Sequence, residues 1–139
     1  MKRYLLLLTL ILPLNLFAPV SHTVMLVEGS PINPYEPFFN ATCIVESSKN
    51  PFAVNIEEQA FGLLQVRQCK LDDFNRATGK KYTLNDCFNP EISREIFMWH
   101  CSGFSPYDLE SAARRWNGSG PKTKIYWKKV HQVLKTSNI

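Results

Sequence analysis

The chain has no C-x-x-C pair, no H-x-x-x-H and no H-x-E grouping among its four cysteines and three histidines, which argues against a zinc site. Internal repeats and low-complexity segments are missing, which excludes a solenoid or a linker protein. Charge of one sign is scarce. Sixteen basic against 12 acidic residues leave +4, too little and too mixed for a polyanion-binding tail, and no basic aromatic face suggests nucleic acid. Strand-like alternation is poor throughout, so helices must supply the fold. At 139 residues there is no room for a second core. What the chain does hold is apolar mass: nine Phe, five Tyr and three Trp are more than a disordered chain carries.

Lys2 and Arg3 form a basic n-region and Tyr4 to Phe17 an apolar run of secretory-signal length. Residues 1–21 are expected to be a cleaved signal peptide, exporting the chain to the periplasm or cell envelope. An uncleaved anchor would need about 20 mainly apolar residues, and Pro13, Asn15, Pro19, Ser21 and His22 interrupt the run. Cleavage would leave 14 basic and 12 acidic residues, so bulk charge says little about partners. Cys43, Cys69, Cys87 and Cys101 all follow the cut, and an even number suits disulfides in an oxidising compartment. Buried free thiols are the alternative. A helix over 90–101 would hold Cys87 and Cys101 roughly 17 to 20 Å apart, which disfavours that pair.

A Pro-rich lead-in, 22–37, precedes a run of punctuated helical patterns over 38–136. Phe38 to Ser48 predicts a first helix stopped by Asn50 and Pro51, and an irregular stretch follows to Gly62. A second helix is expected from about Arg67 to Thr78 with Gly79 as its stop. Asn89 and Pro90 read as N-cap and first helical position of a third, carrying Ile92, Ile96 and Trp99 and ending before Gly103. Ser105 and Pro106 repeat that signal for a fourth, with Leu109, Ala112, Ala113 and Trp116 as its apolar stripe and Asn117 to Pro121 as its end. A last helix, Lys122 to Thr136, is expected to bury Tyr126, Val130, Val133 and Leu134.

One residue breaks the first helix's pattern. At 100° per residue Glu46 shares a face with Phe39 and Cys43, which sets a carboxylate at the C-terminal end of an apolar stripe. Desolvation and the negative end of the helix dipole both raise its pKa. A carboxyl still protonated near neutral pH is what general-acid chemistry requires. A rim position reaching water is the plain alternative.

Glu46, Ser47, Asn50, Pro51 and Ala53, then Gly62, Leu63, Leu64, Gln65 and Val66, then Asn89 and Pro90, then Arg115 to Gly120, and finally Tyr126 and Val130, stand in one order. Over roughly residues 39 to 134 this order resembles the soluble lytic transglycosylase domain of the lysozyme-like superfamily, which also includes goose-type lysozymes. The resemblance implies a mainly α, lysozyme-like fold of five to seven short helices around a glycan-binding cleft. It also implies cleavage of the β-1,4 bond between N-acetylmuramic acid and N-acetylglucosamine in peptidoglycan, with a 1,6-anhydro product. Glu46 would be the catalytic acid and then the base, with no cofactor and no metal. Ser47, Gln65, Trp116, Asn117 and Tyr126 would bind substrate.

Each of these has a simpler reading. Ser47 also reads as a helix C-terminal residue, Gln65 as a solvated turn residue and Asn117 as an αL C-cap. Trp116 stands where the family carries Tyr, and it closes the Leu109 stripe as core as readily as it stacks on sugar. Arg114 and Arg115 would meet glycan carboxylates or simply be solvated. The alternative enzyme is an inverting hydrolase of the same bond with Glu57 or Glu58 as base, the carboxyls about 6.5 to 9.5 Å apart. A non-catalytic glycan-binding or assembly module is a third reading. The expected partners are peptidoglycan strands met by a monomer, with an envelope-spanning secretion or conjugation apparatus fitting a small, locally acting enzyme.

Overall fold

The computed structural model describes residues 33–137. The expected signal peptide, its cleavage site and most of the Pro-rich lead-in lie outside the described residues. Within them the chain is mainly helical: α1 (Glu36–Ser47), three two-residue strands, α2 (Gln68–Thr78), a 3-10 turn (Leu84–Phe88), α3 (Pro90–Cys101), α4 (Leu109–Asn117) and α5 (Lys122–Ser137). None of the described helices is long and apolar enough to cross a membrane.

Local chemistry sets most of the helix ends. Pro37 in the first turn fits a helix start, where a missing N–H costs nothing, and Glu36 beside it suits the positive end of the dipole. α1 therefore begins two residues earlier than expected. It ends where Ser48 turns left-handed at φ 53°, its N–H donating to Ile44 O while Lys49 N–H donates to Cys43 O. Gly79, at φ 74°, stops α2. Asn89 caps α3 by accepting from Glu91 N–H at 2.9 Å, with Pro90 next. Asn89→Ala is expected to lower stability by about 1 kcal/mol, read as a fall in the urea midpoint at unchanged slope.

Two expectations are corrected. α4 begins at Leu109, because Asp108 caps it through Ser111 N–H at 3.2 Å. Ser105 and Pro106 instead open a turn in which Asp108 N–H donates to Ser105 O. The stretch expected to be irregular is a small antiparallel sheet, β1 (Val54–Asn55), β2 (Ala60–Phe61) and β3 (Val66–Arg67), and Arg67 both ends the last strand and caps α2, close to where that helix was expected to start. Val54 pairs with Phe61 and Phe61 with Val66; Asn55 pairs with Ala60 and Ala60 with Arg67.

The core is built where the helices meet. Phe38, Leu64, Val66, Leu71, Phe74, Ile96, Phe97 and Val130 are fully buried, each contributing about 1.5 to 3 kcal/mol of apolar burial. α5 packs against α1 and α4, while α3 touches α1, α2 and α4. Val133, expected inside, is half-buried beside Leu134. Cys43, Cys87 and Cys101 sit in the core as thiols, pushed up to about 12 mainly by burial, and Cys69 is exposed on α2. This packing brings the end of α1, the turn before β3, the end of α4 and the start of α5 to one place.

Candidate active site

Glu46 occupies the last turn of α1, half-buried. The Tyr126 hydroxyl, from α5 and 80 residues along the chain, donates to its Oε1 at 2.7 Å. Burial pushes the Glu46 carboxyl up from 4.5 to about 7. The Tyr126 hydrogen bond, the Arg67 charge and the Trp116 indole each hold it down, and Glu58 adds a smaller push upward. Tyr126 itself is buried, and burial with the facing carboxylate raises its hydroxyl well above 10.

Because the Tyr126 bond favours the ionised carboxylate, its loss has a definite sign. Tyr126→Phe is expected to raise the Glu46 titration midpoint further above 7, measured by carbon NMR of the labelled carboxyl. A downward shift would contradict this account of the pair.

The turn leading into β3 is fixed from several sides. Ser47 Oγ donates to Leu63 O at 2.7 Å, tying the end of α1 to the Gly62–Gln65 turn. Gln65, at φ 49°, donates its amide to Ala53 O at 3.1 Å and Gly62 O at 3.0 Å. Gly62, at φ 76°, lies against the Cys87 carbonyl so closely that no Cβ fits. Ser47 thus spends its proton on protein backbone, whereas Gln65 reaches the cavity beside Glu46.

One cavity adjoins the acid and a second is lined by its partner Tyr126. A narrow one of about 10 Å³ is lined by Glu46, Gln65, Arg67, Lys70, Trp116 and Asn117, room for a single water. A wider one of about 460 Å³ is lined by Glu58, Arg67, Asn117, Ser119, Lys122, Ile125, Tyr126 and Lys129. Glu46 is the sole carboxylate on the first and Glu58 on the second.

The other expected residues fall as follows. Trp116 is buried, with its ring edge-on to Phe97 at 5.0 Å and to His100 at 5.5 Å, so most of it is core and the rest borders the narrow cavity. Asn117 is the last helical residue of α4, and Gly118 takes the cap; Asn117 O accepts from Arg67 Nη1 at 3.0 Å. Arg114 bonds Thr123 and pairs with Glu110, and Arg115 is exposed; neither lines a cavity beside Glu46. Glu57 is exposed, and Glu58 forms an ion pair with Arg67.

Arg67 and Lys70 are residues that sequence reasoning passed over. Arg67 joins Glu58, Asn117 and the two cavities, contacts with residues distant in the chain that no local sequence signal announces. Lys70 donates to Arg115 O at 2.6 Å and stands over the Trp116 ring at 5.9 Å, and burial lowers its pKa. Among the described residues no three His, Cys, Asp or Glu side chains converge as a metal site. Protein-family models give no match to the chain. No curated protein matches it. Nor does any solved structure.

Proposed function

We propose that the chain is a peptidoglycan lytic transglycosylase of lysozyme-like fold, in which Glu46 cleaves the β-1,4 bond between N-acetylmuramic acid and N-acetylglucosamine. The observation that carries this reading is the state of Glu46: a carboxyl raised to about 7, held by Tyr126 and opening on a cavity. Protonated, it donates to the bridging oxygen as the bond to the leaving sugar breaks. The carboxylate left behind takes the proton of the muramic C6 hydroxyl, whose oxygen closes onto C1 to give the 1,6-anhydro ring. Neither step needs a second carboxylate. Gln65, Asn117 and the edge of Trp116 line the one-water cavity beside the acid, over whose mouth the sugars would lie, and Ser47 acts by holding the turn that carries Gln65.

The hydrolase reading has one observation in its favour, that Glu58 faces the wider cavity together with Tyr126. Against it, the Glu58 carboxylate is engaged by the Arg67 guanidinium, which competes with a water for its oxygens. Digestion of purified sacculi followed by mass analysis separates the two. Muropeptides lighter by one water and without reducing ends support transglycosylation, while reducing ends support hydrolysis. Undigested sacculi, with the folded protein still bound, would leave only the glycan-binding module.

A further inference from the structure

The wide cavity has an unequal charge lining. Arg67 is answered by Glu58 and by the Asn117 carbonyl. Lys122 and Lys129 have no such partner: neither forms an ion pair among the described residues. They stand seven residues apart, two turns along one face of α5, with Ile125 and Tyr126 between them. α5 carries five lysines and no acidic residue. The remainder of the chain has eleven basic and twelve acidic residues, so the chain's whole excess of positive charge is concentrated on this helix.

Two unanswered ammonium groups beside one concavity create a positive potential that an anion relieves. The cavity's 460 Å³ lies within the range of ligand sites and exceeds what a lone carboxylate would fill. Ile125, 60% exposed, offers an apolar surface between the lysines, and Asn117 and Ser119 offer neutral hydrogen-bonding groups. An occupant with carboxylates spaced along a short, partly apolar chain matches this lining better than a neutral sugar does.

We propose that this cavity receives the stem peptide of a peptidoglycan strand, Lys122 and Lys129 meeting its carboxylates while the glycan lies against Glu46. The inference rests on the reading of Glu46 given above and adds the part of the substrate that the enzyme selects. It assigns selectivity to α5, away from Arg114 and Arg115.

The test is calorimetric, on the Glu46→Gln protein so that nothing is cleaved. Three probes are compared: the disaccharide carrying its stem peptide, the same molecule with its peptide carboxylates converted to amides, and the peptide-free disaccharide with a free lactyl carboxylate. The first is expected to bind about tenfold more tightly than either of the others at low salt, and the gap should narrow in 1 M salt. In a Lys122→Ala/Lys129→Ala background, checked for an unchanged melting temperature, the ratio should fall to about one. Equal binding of the acid and amide forms overturns the proposal, as does no binding at all. A lactyl probe as tight as the peptide probe overturns the peptide assignment, and a preference surviving the double substitution overturns the role of the lysines. Since no turnover is involved, the outcome is separate from that of the sacculus digestion: a charge preference without cleavage sinks the enzyme reading alone, and cleavage without a preference sinks this one alone.

Discussion

Glu46→Gln is expected to lower the rate of sacculus digestion by about a thousandfold or more while the fold persists. General-acid assistance alone supplies about 10² to 10⁴, and here the same group would also act as base. Glutamine keeps the shape and can still meet the Tyr126 hydroxyl, but it has no acidic proton. The wild-type rate should fall as pH rises through about 7, where Glu46 loses that proton. Stability should move with it. A carboxyl whose pKa is raised on folding binds more protons folded than unfolded, so the Glu46 contribution to stability is most favourable below about 4.5, declines between 4.5 and 7 and is level above. The size of this decline is on the order of 3 kcal/mol at 1.36 kcal/mol per pH unit. Glu46→Gln removes it, so the variant should be more stable than wild type at pH 8 and nearly equal at pH 4, as measured by urea unfolding. A variant that keeps the wild-type digestion rate removes Glu46 from the chemistry altogether.

The second large effect is structural. Gly62→Ala is expected to cost more than 3 kcal/mol, enough to leave much of a small domain unfolded. A Cβ there would overlap the Cys87 carbonyl oxygen and stand 2.8 Å from its carbon, and a backbone carbonyl cannot swing aside as a side chain can. The left-handed φ of 76° adds roughly 1 to 2 kcal/mol of its own. Gly79→Ala is the control. It has nearly the same φ, 74°, with nothing within 4 Å of the new Cβ, so it should show the dihedral cost alone. If the two variants unfold at the same urea concentration, the close approach to Cys87 is not what demands glycine at 62.

The sequence was most readable where a residue acts on its own neighbours. Gly79 and the Asn89–Pro90 pair work within one helical turn, and their positions alone place the ends of α2 and α3. Ser105–Pro106 looked the same and failed, because Asp108 offered a competing cap three residues later. The strands could not be read at all: two residues are too few to show alternation, and what makes them strands is the pairing of Ala60 with both Asn55 and Arg67. The site divides likewise. Glu46 stood out because it interrupts the stripe of its own helix. Its bond to Tyr126, and the cations of β3 and α2 that line its cavity, join residues far apart in the chain, and no local pattern encodes them.

An unfolded copy carries at position 46 an ordinary glutamate, ionised at neutral pH and indistinguishable from the other acidic side chains. What changes it is burial, which only the packed chain supplies, while the Tyr126 and Trp116 hydrogen bonds that restrain the change come from residues far along the chain. The raised carboxyl is thus a property of the folded chain alone, and its titration reports on whether α1 and α5 are packed together.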